Sequence, residues 1–90
     1  MADEDWANGT LYDDQGEFAL ARIRYCLHRN VEADGHLLLI GDFWLQEEYS
    51  PLHTGMAQLI SPQEQRWLVR VSRISRPRGD GEFEVIEPIE

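Results

Sequence analysis

The sequence predicts an all-β protein, a small antiparallel barrel or sandwich of five to six strands with at most one short helical turn. Apolar side chains recur at every second position over residues 19–27 and again over 67–71, which is the period of a half-buried strand. Short glycine-bearing segments separate the apolar runs and favour tight turns between antiparallel strands. A chain of 90 residues is the size of one domain. We therefore expect a single β domain over residues 9–90, preceded by an acidic tail of residues 1–8.

The first half of the chain predicts three strands, near residues 9–13, 17–30 and 36–45. The segment DDQG, ending at Gly16, joins the first strand to the second, and EADG, ending at Gly35, joins the second to the third. The third strand, HLLLIGDFWL, is apolar at both parities, which is typical of a strand covered on both faces. It should therefore form the centre of the fold.

The second half predicts strands near residues 55–60, 66–75 and 82–87, and the six strands together indicate a meander. The segment SPQE before the fifth strand matches a helical capping box. A longer helix is disfavoured because the alternating apolar residues Trp67 and Val69 would not share a helical face, so a single turn that leads into a strand is preferred. The pattern leaves open whether residues 50–64 form strand, loop or short helix.

The predicted core consists of the apolar residues that share one parity in each strand. Successive side chains of a strand point to opposite faces of the sheet, so one parity should be buried. These residues are Ile23, Tyr25, Leu27, Leu38, Ile40, Leu59, Trp67, Val69 and Val71.

The order of these elements resembles small bacterial β-barrel domains of the SH3-like or OB-like kind. The features that carry the likeness are G-x-L, a turn, a long arginine-bearing strand, a glycine turn, and W-x-V-x-V before a glycine-rich turn. The resemblance is one of architecture over about residues 9–87. It implies a fold and size, and it names no family and no functional residue.

Composition limits the classes of function. The chain has 17 acidic and 8 basic residues and a net charge of −9, which argues against direct binding to nucleic acid. No apolar run approaches the roughly 20 residues of a membrane span, and the acidic start is unlike a signal peptide. The single Cys26 forms no internal disulfide, which fits a reducing compartment. A soluble, cytoplasmic protein is expected.

Arg22 and Arg24 concentrate positive charge on one strand of an acidic chain whose eight basic residues are all arginine. One interpretation is that such arginines face water and pair with cross-strand carboxylates such as Glu82 and Glu84, at about 0.2–1 kcal/mol a pair. The other is a recognition face whose guanidinium groups accept an acidic segment or a phosphate group of a partner. The sequence favours the first interpretation and leaves the second open.

The segment GDFWLQEEY, residues 41–49, is the second candidate surface. Phe43 and Trp44 are adjacent on a strand and point in opposite directions, so one of them is exposed unless both faces are covered, for example by the segment carrying Trp6. Exposed aromatic residues with a polar rim favour protein interfaces. The predicted partner-binding residues of both surfaces are Arg22, Arg24, Asp42, Phe43, Trp44, Glu47, Glu48 and Tyr49.

Catalytic and metal chemistry find little support in the sequence. Cys26 and His28 share a strand face, but a structural zinc site normally needs four ligands, and His36 and His53 have no matching spacing. A nucleophilic Cys26 would also need an orienting group and oxyanion donors that no motif suggests. We expect no enzyme activity, no cofactor and no metal.

These observations predict a non-enzymatic protein-binding module, such as an adaptor, accessory subunit or small regulator. It would use the arginine-bearing face and the 41–53 segment against a protein partner, and self-association is left open. The alternative is an acidic inhibitor that imitates nucleic acid, such as a phage-encoded anti-defence protein, and occupies the basic site of its partner. An apolar interface that is insensitive to salt would favour the module, and a steeply salt-dependent one would favour the inhibitor.

Overall fold

The computed structural model describes residues 6–47, 51–75 and 78–89, which form six antiparallel strands. The predicted all-β fold is confirmed, and each predicted strand overlaps an observed one. Two of them, β4 and β5, have the predicted bounds. The strands are β1 (Ala7–Tyr12), β2 (Ala19–Val31), β3 (Leu37–Leu45), β4 (Gly55–Ile60), β5 (Arg66–Ser75) and β6 (Asp80–Ile89). Most of the predicted acidic tail, residues 1–5, lies outside the described residues.

The sheet closes into a barrel with the strand order β1-β2-β3-β6-β5-β4. The prediction of one continuous meander is therefore wrong. The strands β1 to β3 form one meander and β4 to β6 form another, and β3 pairs with β6 rather than with β4. Short turns join strands within each meander, whereas residues 46–54 connect the two and are too long a link for a tight hairpin. Closure through the β1–β4 and β3–β6 pairs covers edges that two open sheets would expose.

The core lies inside the barrel. Five predicted core residues are confirmed as buried: Ile23, Tyr25, Leu59, Val69 and Val71. The buried cluster also contains residues that the apolar pattern did not single out, namely Leu11, Ala21, Phe43, Leu52, Ala57 and Phe83.

Four residues of the predicted core are not fully buried. Leu27 has the inward parity of β2 but is 38% exposed, because its strand continues past Ala7, where β1 begins. Leu38 and Ile40 are half-buried because their side chains lie on the outer face of β3. Trp67, near the start of β5, packs against the edge of the core and is also half-buried.

Two phenylalanines from neighbouring strands explain which side chains of β3 point into the barrel. The rings of Phe43 and Phe83 stack inside the barrel with centroids 6.0 Å apart. The register pairs Phe43 with Gly81 and Gly41 with Phe83, and a Cβ atom on either glycine would overlap the opposing ring. Phenylalanine and glycine therefore alternate across this strand pair, and the size match fixes which face of β3 points inward. Burial in the same cluster raises the pKa of Tyr25.

The capping-box segment forms a hairpin turn instead of a helical one. The backbone N–H of Ser61 donates to the Gln65 carbonyl oxygen, and the Gln65 N–H donates to Ser61 Oγ at 3.1 Å. The serine hydroxyl thus satisfies an amide at the mouth of the β4–β5 hairpin, and Glu64 takes the positive φ angle of 65° that the reversal requires. The described part of residues 50–64 is a non-regular segment, then β4, then this turn.

No helix long and apolar enough to cross a membrane occurs among the described residues.

Candidate functional site

The two arginines of β2 point away from the barrel core. Ala21, Ile23 and Tyr25 are buried at the odd positions of the strand, so Arg22 and Arg24 at the even positions face solvent. This is the orientation that the alternating pattern predicted. Positive charge therefore lies on the outer face of β2, beside the outer face of β3.

Trp44 is the exposed member of the Phe43–Trp44 pair. Its register partner on β2 is Arg24, and its side chain is 43% exposed on the same outer face. Phe43 is 1% exposed and is held in the core by Phe83. Phe43, which the sequence placed among the partner-binding residues, therefore has its ring inside the barrel and not on the outer face.

Three hollows that share lining residues run across this outer face. The middle hollow has a volume of about 330 Å³ and is lined by Trp6, Arg24, Trp44 and Gln46. A larger one of about 540 Å³ shares Gln46 and contains Arg22. A smaller one of about 220 Å³ shares Trp6 and Trp44 and contains Asp42. Together they form one surface, the outer-face groove, whose central residues are Trp6, Arg22, Arg24, Asp42, Trp44 and Gln46.

Trp6 is a groove residue that was predicted only as a cover for the aromatic segment. It lines two of the three hollows together with Trp44, yet Trp44 keeps 43% of its surface exposed. Trp6 therefore shares the groove with Trp44 rather than covering it. The available sequence signal was a large aromatic residue in an otherwise acidic segment.

The two arginines differ in their electrostatic partners. The backbone N–H of Arg22 donates to Glu47 Oε1 at 3.0 Å, and the guanidinium Nε of Arg22 lies 3.8 Å from the same oxygen. Glu47 thus ties the end of β3 to β2, which is a role in the fold. The Arg24 guanidinium makes no ion pair or hydrogen bond within the described ranges. Among the described residues, Arg24 is therefore the groove arginine whose guanidinium has no charged partner.

Elsewhere on the sheet, the predicted cross-strand pairing of arginine with carboxylate is present. The guanidinium of Arg70 donates to Glu84 Oε1 at 2.7 Å, between register partners on β5 and β6. Both side chains reach solvent, so this pair contributes at most about 1 kcal/mol to stability. A carboxylate thus lies beside Arg70 and beside Arg22, whereas Arg24 has no such partner among the described residues.

The far end of the groove contains two carboxylates beside basic side chains. Asp42 Oδ2 lies 3.7 Å from His28 Nδ1, and Asp80 Oδ2 lies 3.7 Å from the guanidinium of Arg73. The other oxygen of Asp80 is buried and accepts no hydrogen bond among the described residues. That oxygen, Oδ1, lies 3.8 Å from Arg78 Nε, so both oxygens of Asp80 are within 4 Å of an arginine of the same chain. The remaining predicted site residues, Glu48 and Tyr49, lie outside the described residues.

Possible metal ligands gather at the β2–β3 turn and not at Cys26 and His28, the pair that the sequence analysis considered and set aside. In the described part of the chain, one group of three such residues has its ligand atoms within 4.8 Å of one another: Glu32, Asp34 and His36, all exposed. Hydrogen bonds from the His36 backbone N–H and then from its ring lower the pKa of the Asp34 carboxyl. These contacts brace a tight turn, which accounts for the cluster without an ion.

Comparison of this chain with protein-family models, with curated proteins and with solved structures finds no match. Function must therefore be argued from the geometry of the site.

Proposed function

We propose that this chain is a non-enzymatic protein-binding module that holds a segment of a partner protein in the outer-face groove. The observation that supports the proposal is that an exposed Trp44 lies opposite Arg24 on the neighbouring strand, and that the Arg24 guanidinium has no ion pair among the described residues. Tryptophan and arginine are enriched among the residues that dominate the energy of protein interfaces. A rigid barrel face that presents both at adjacent positions is suited to recognition rather than to catalysis.

The chemistry of the groove defines the segment that it would bind. Trp44 and Trp6 offer apolar area, while the guanidinium of Arg24 offers a planar fork that pairs with a carboxylate. The expected partner segment therefore places an acidic residue beside a large apolar one.

The charges of the groove favour this function over imitation of nucleic acid. A phosphate mimic needs carboxylates that are free to meet the cations of a partner. Among the described residues at or beside the groove, Glu47 and Asp80 each lie within 4 Å of an arginine guanidinium of the same chain. These acids are partly neutralised, whereas the aromatic surface is open.

The test is an affinity measurement on groove variants. Peptides are selected from a random displayed library against the full chain, and the best one is titrated calorimetrically. We expect Trp44→Ala to weaken binding by about 2 kcal/mol or more, roughly thirtyfold, because a central aromatic contact is lost. Replacing Arg24 with Gln should weaken it by about tenfold and reduce its salt dependence, since one charge pair disappears.

Two matched controls separate recognition from general surface effects. Met56 is 43% exposed, as Trp44 is, but lies on β4 away from the groove centre. Arg66 is exposed and has no ion pair among the described residues. Met56→Ala and Arg66→Gln should bind as the wild type does. Equal losses from controls and groove variants, with melting curves unchanged, would refute the proposal. Binding that is indifferent to Trp44 but falls steeply with salt would favour the acidic inhibitor.

A further inference from the structure

The strand β2 continues beyond Ala7, where its partner β1 begins, and among the described residues this leaves one edge of β2 free. Pairing between the two strands ends at Ala7 and Tyr25, whereas β2 runs on to Val31. Over residues 26–31, β3 pairs with one edge of β2, and no described strand pairs with the other. An unpaired edge is a template for another strand, and natural barrels usually remove it.

Hydrogen bonds at both ends of the β2–β3 ladder show which backbone groups face the free edge. The Arg22 carbonyl accepts from the Gln46 N–H, and the Glu32 N–H donates to the His36 carbonyl. In an antiparallel ladder such bonded residues alternate, so the even residues of β2 bond to β3. Leu27, Arg29 and Val31 therefore direct their N–H and C=O groups toward the free edge.

The same three residues present their side chains on one face of β2. Leu27 is 38% exposed and Val31 is 67% exposed, although both are apolar. Arg29 lies between them, is exposed, and makes no ion pair or hydrogen bond through its guanidinium within the described ranges. This edge thus combines backbone groups that no described strand pairs with a row of three side chains, in which the cationic Arg29 lies between the apolar Leu27 and Val31.

We propose that this edge binds an extended segment of a partner protein whose alternate residues are apolar, acidic and apolar. The segment would add a strand to the sheet through the backbone groups of Leu27, Arg29 and Val31, and its acidic residue would pair with Arg29. The pattern reads the same in both directions, so it fits a parallel or an antiparallel strand. The side chains involved lie on the face of β2 opposite Arg22 and Arg24, so the edge is independent of the outer-face groove.

A second copy of the chain fits the edge poorly. A twofold arrangement that sets Leu27 of each copy against Val31 of the other also sets Arg29 directly against Arg29. Like charges directly opposite each other in a sheet are destabilising. Each copy in addition carries a net charge of −9, which repels its mate. An acidic partner strand avoids the central repulsion.

The experiment titrates the isotope-labelled full chain with the synthetic peptide TVTETIT and follows backbone amides by NMR. We expect the amides of Leu27, Arg29 and Val31 to shift and to exchange with solvent more slowly, while those of Cys26 and His28 change little. The control peptide TVTKTIT, with lysine in place of glutamate, should bind about tenfold more weakly because it meets Arg29 with a like charge.

A charge swap tests the pairing itself. The Arg29→Glu variant should prefer the lysine peptide to the glutamate peptide, whereas the surface control Met56→Ala should bind both peptides as the wild type does. The proposal would be overturned if Arg29→Glu did not reverse the peptide preference, or if the peptide shifted only amides of the outer-face groove. It would also be overturned if, without peptide, the amides of Leu27, Arg29 and Val31 exchanged more slowly at higher protein concentration, because that indicates a second copy of the chain. Protection of these amides in the free chain that is lost on deleting residues 1–5 would assign the edge to the chain's own N-terminal segment.

Discussion

Replacing Phe83 with alanine is expected to lower the free energy of unfolding by about 3–5 kcal/mol, a large part of the total stability of a small domain. Its side chain is fully buried, and its ring contacts both Phe43 and Tyr25 across the barrel. Removal leaves a cavity that the closed sheet has little freedom to fill. The measurement is the free energy of unfolding from chemical denaturation.

The matched control for this prediction is Ile86→Ala on the same strand. Ile86 is 43% exposed, so its truncation should cost well under half as much as that of Phe83. Similar losses for the two variants would show that Phe83 is not at the centre of the core.

The second large effect is expected at Gly41. Its backbone is not in the left-handed region, so alanine is conformationally allowed there. However, a Cβ atom would overlap three atoms of the Phe83 ring. Overpacking of this kind costs about 1–3 kcal/mol and occasionally more, and it outweighs the usual entropic gain of about 0.4–1 kcal/mol when glycine is replaced. Chemical denaturation of Gly41→Ala should therefore show clear destabilisation.

A double-mutant cycle identifies the cause of that destabilisation. Phe83→Leu removes the ring atoms that the new methyl group would meet, so the combined variant should lose less stability than the sum of the two single losses. Additive losses would contradict the account, because they would place the strain of Gly41→Ala somewhere other than against Phe83.

Much of the fold could be predicted from the sequence because its signals are local. The alternation over residues 19–27 predicted the orientation of Arg22 and Ile23, and the glycine turns predicted where the first three strands end to within about two residues. The strand order could not be predicted in the same way. Whether β3 pairs with β4 or β6 depends on contacts between residues far apart in the chain, and the Phe–Gly match between β3 and β6 becomes visible only once they are neighbours.

The candidate site, like the fold, could be predicted only in part. Pattern alone placed Arg22 and Arg24 outward, but it could not choose between Phe43 and Trp44, because HLLLIGDFWL is apolar at both parities. Nor could it separate the roles of the two arginines. The distinction rests on Glu47, which approaches Arg22 and not Arg24 through a bend after β3 that carries no periodic signal.

The central claim is that a partner segment occupies the outer-face groove at Trp44 and Arg24. The most direct measurement is NMR mapping of the labelled full chain with the library-selected peptide bound. The account predicts that the largest changes occur at the indole N–H of Trp44 and the side-chain N–H of Arg24, with Met56 and its β4 neighbours unchanged. Changes centred instead on the acidic turn of Glu32 and Asp34, with Trp44 unaffected, would contradict it.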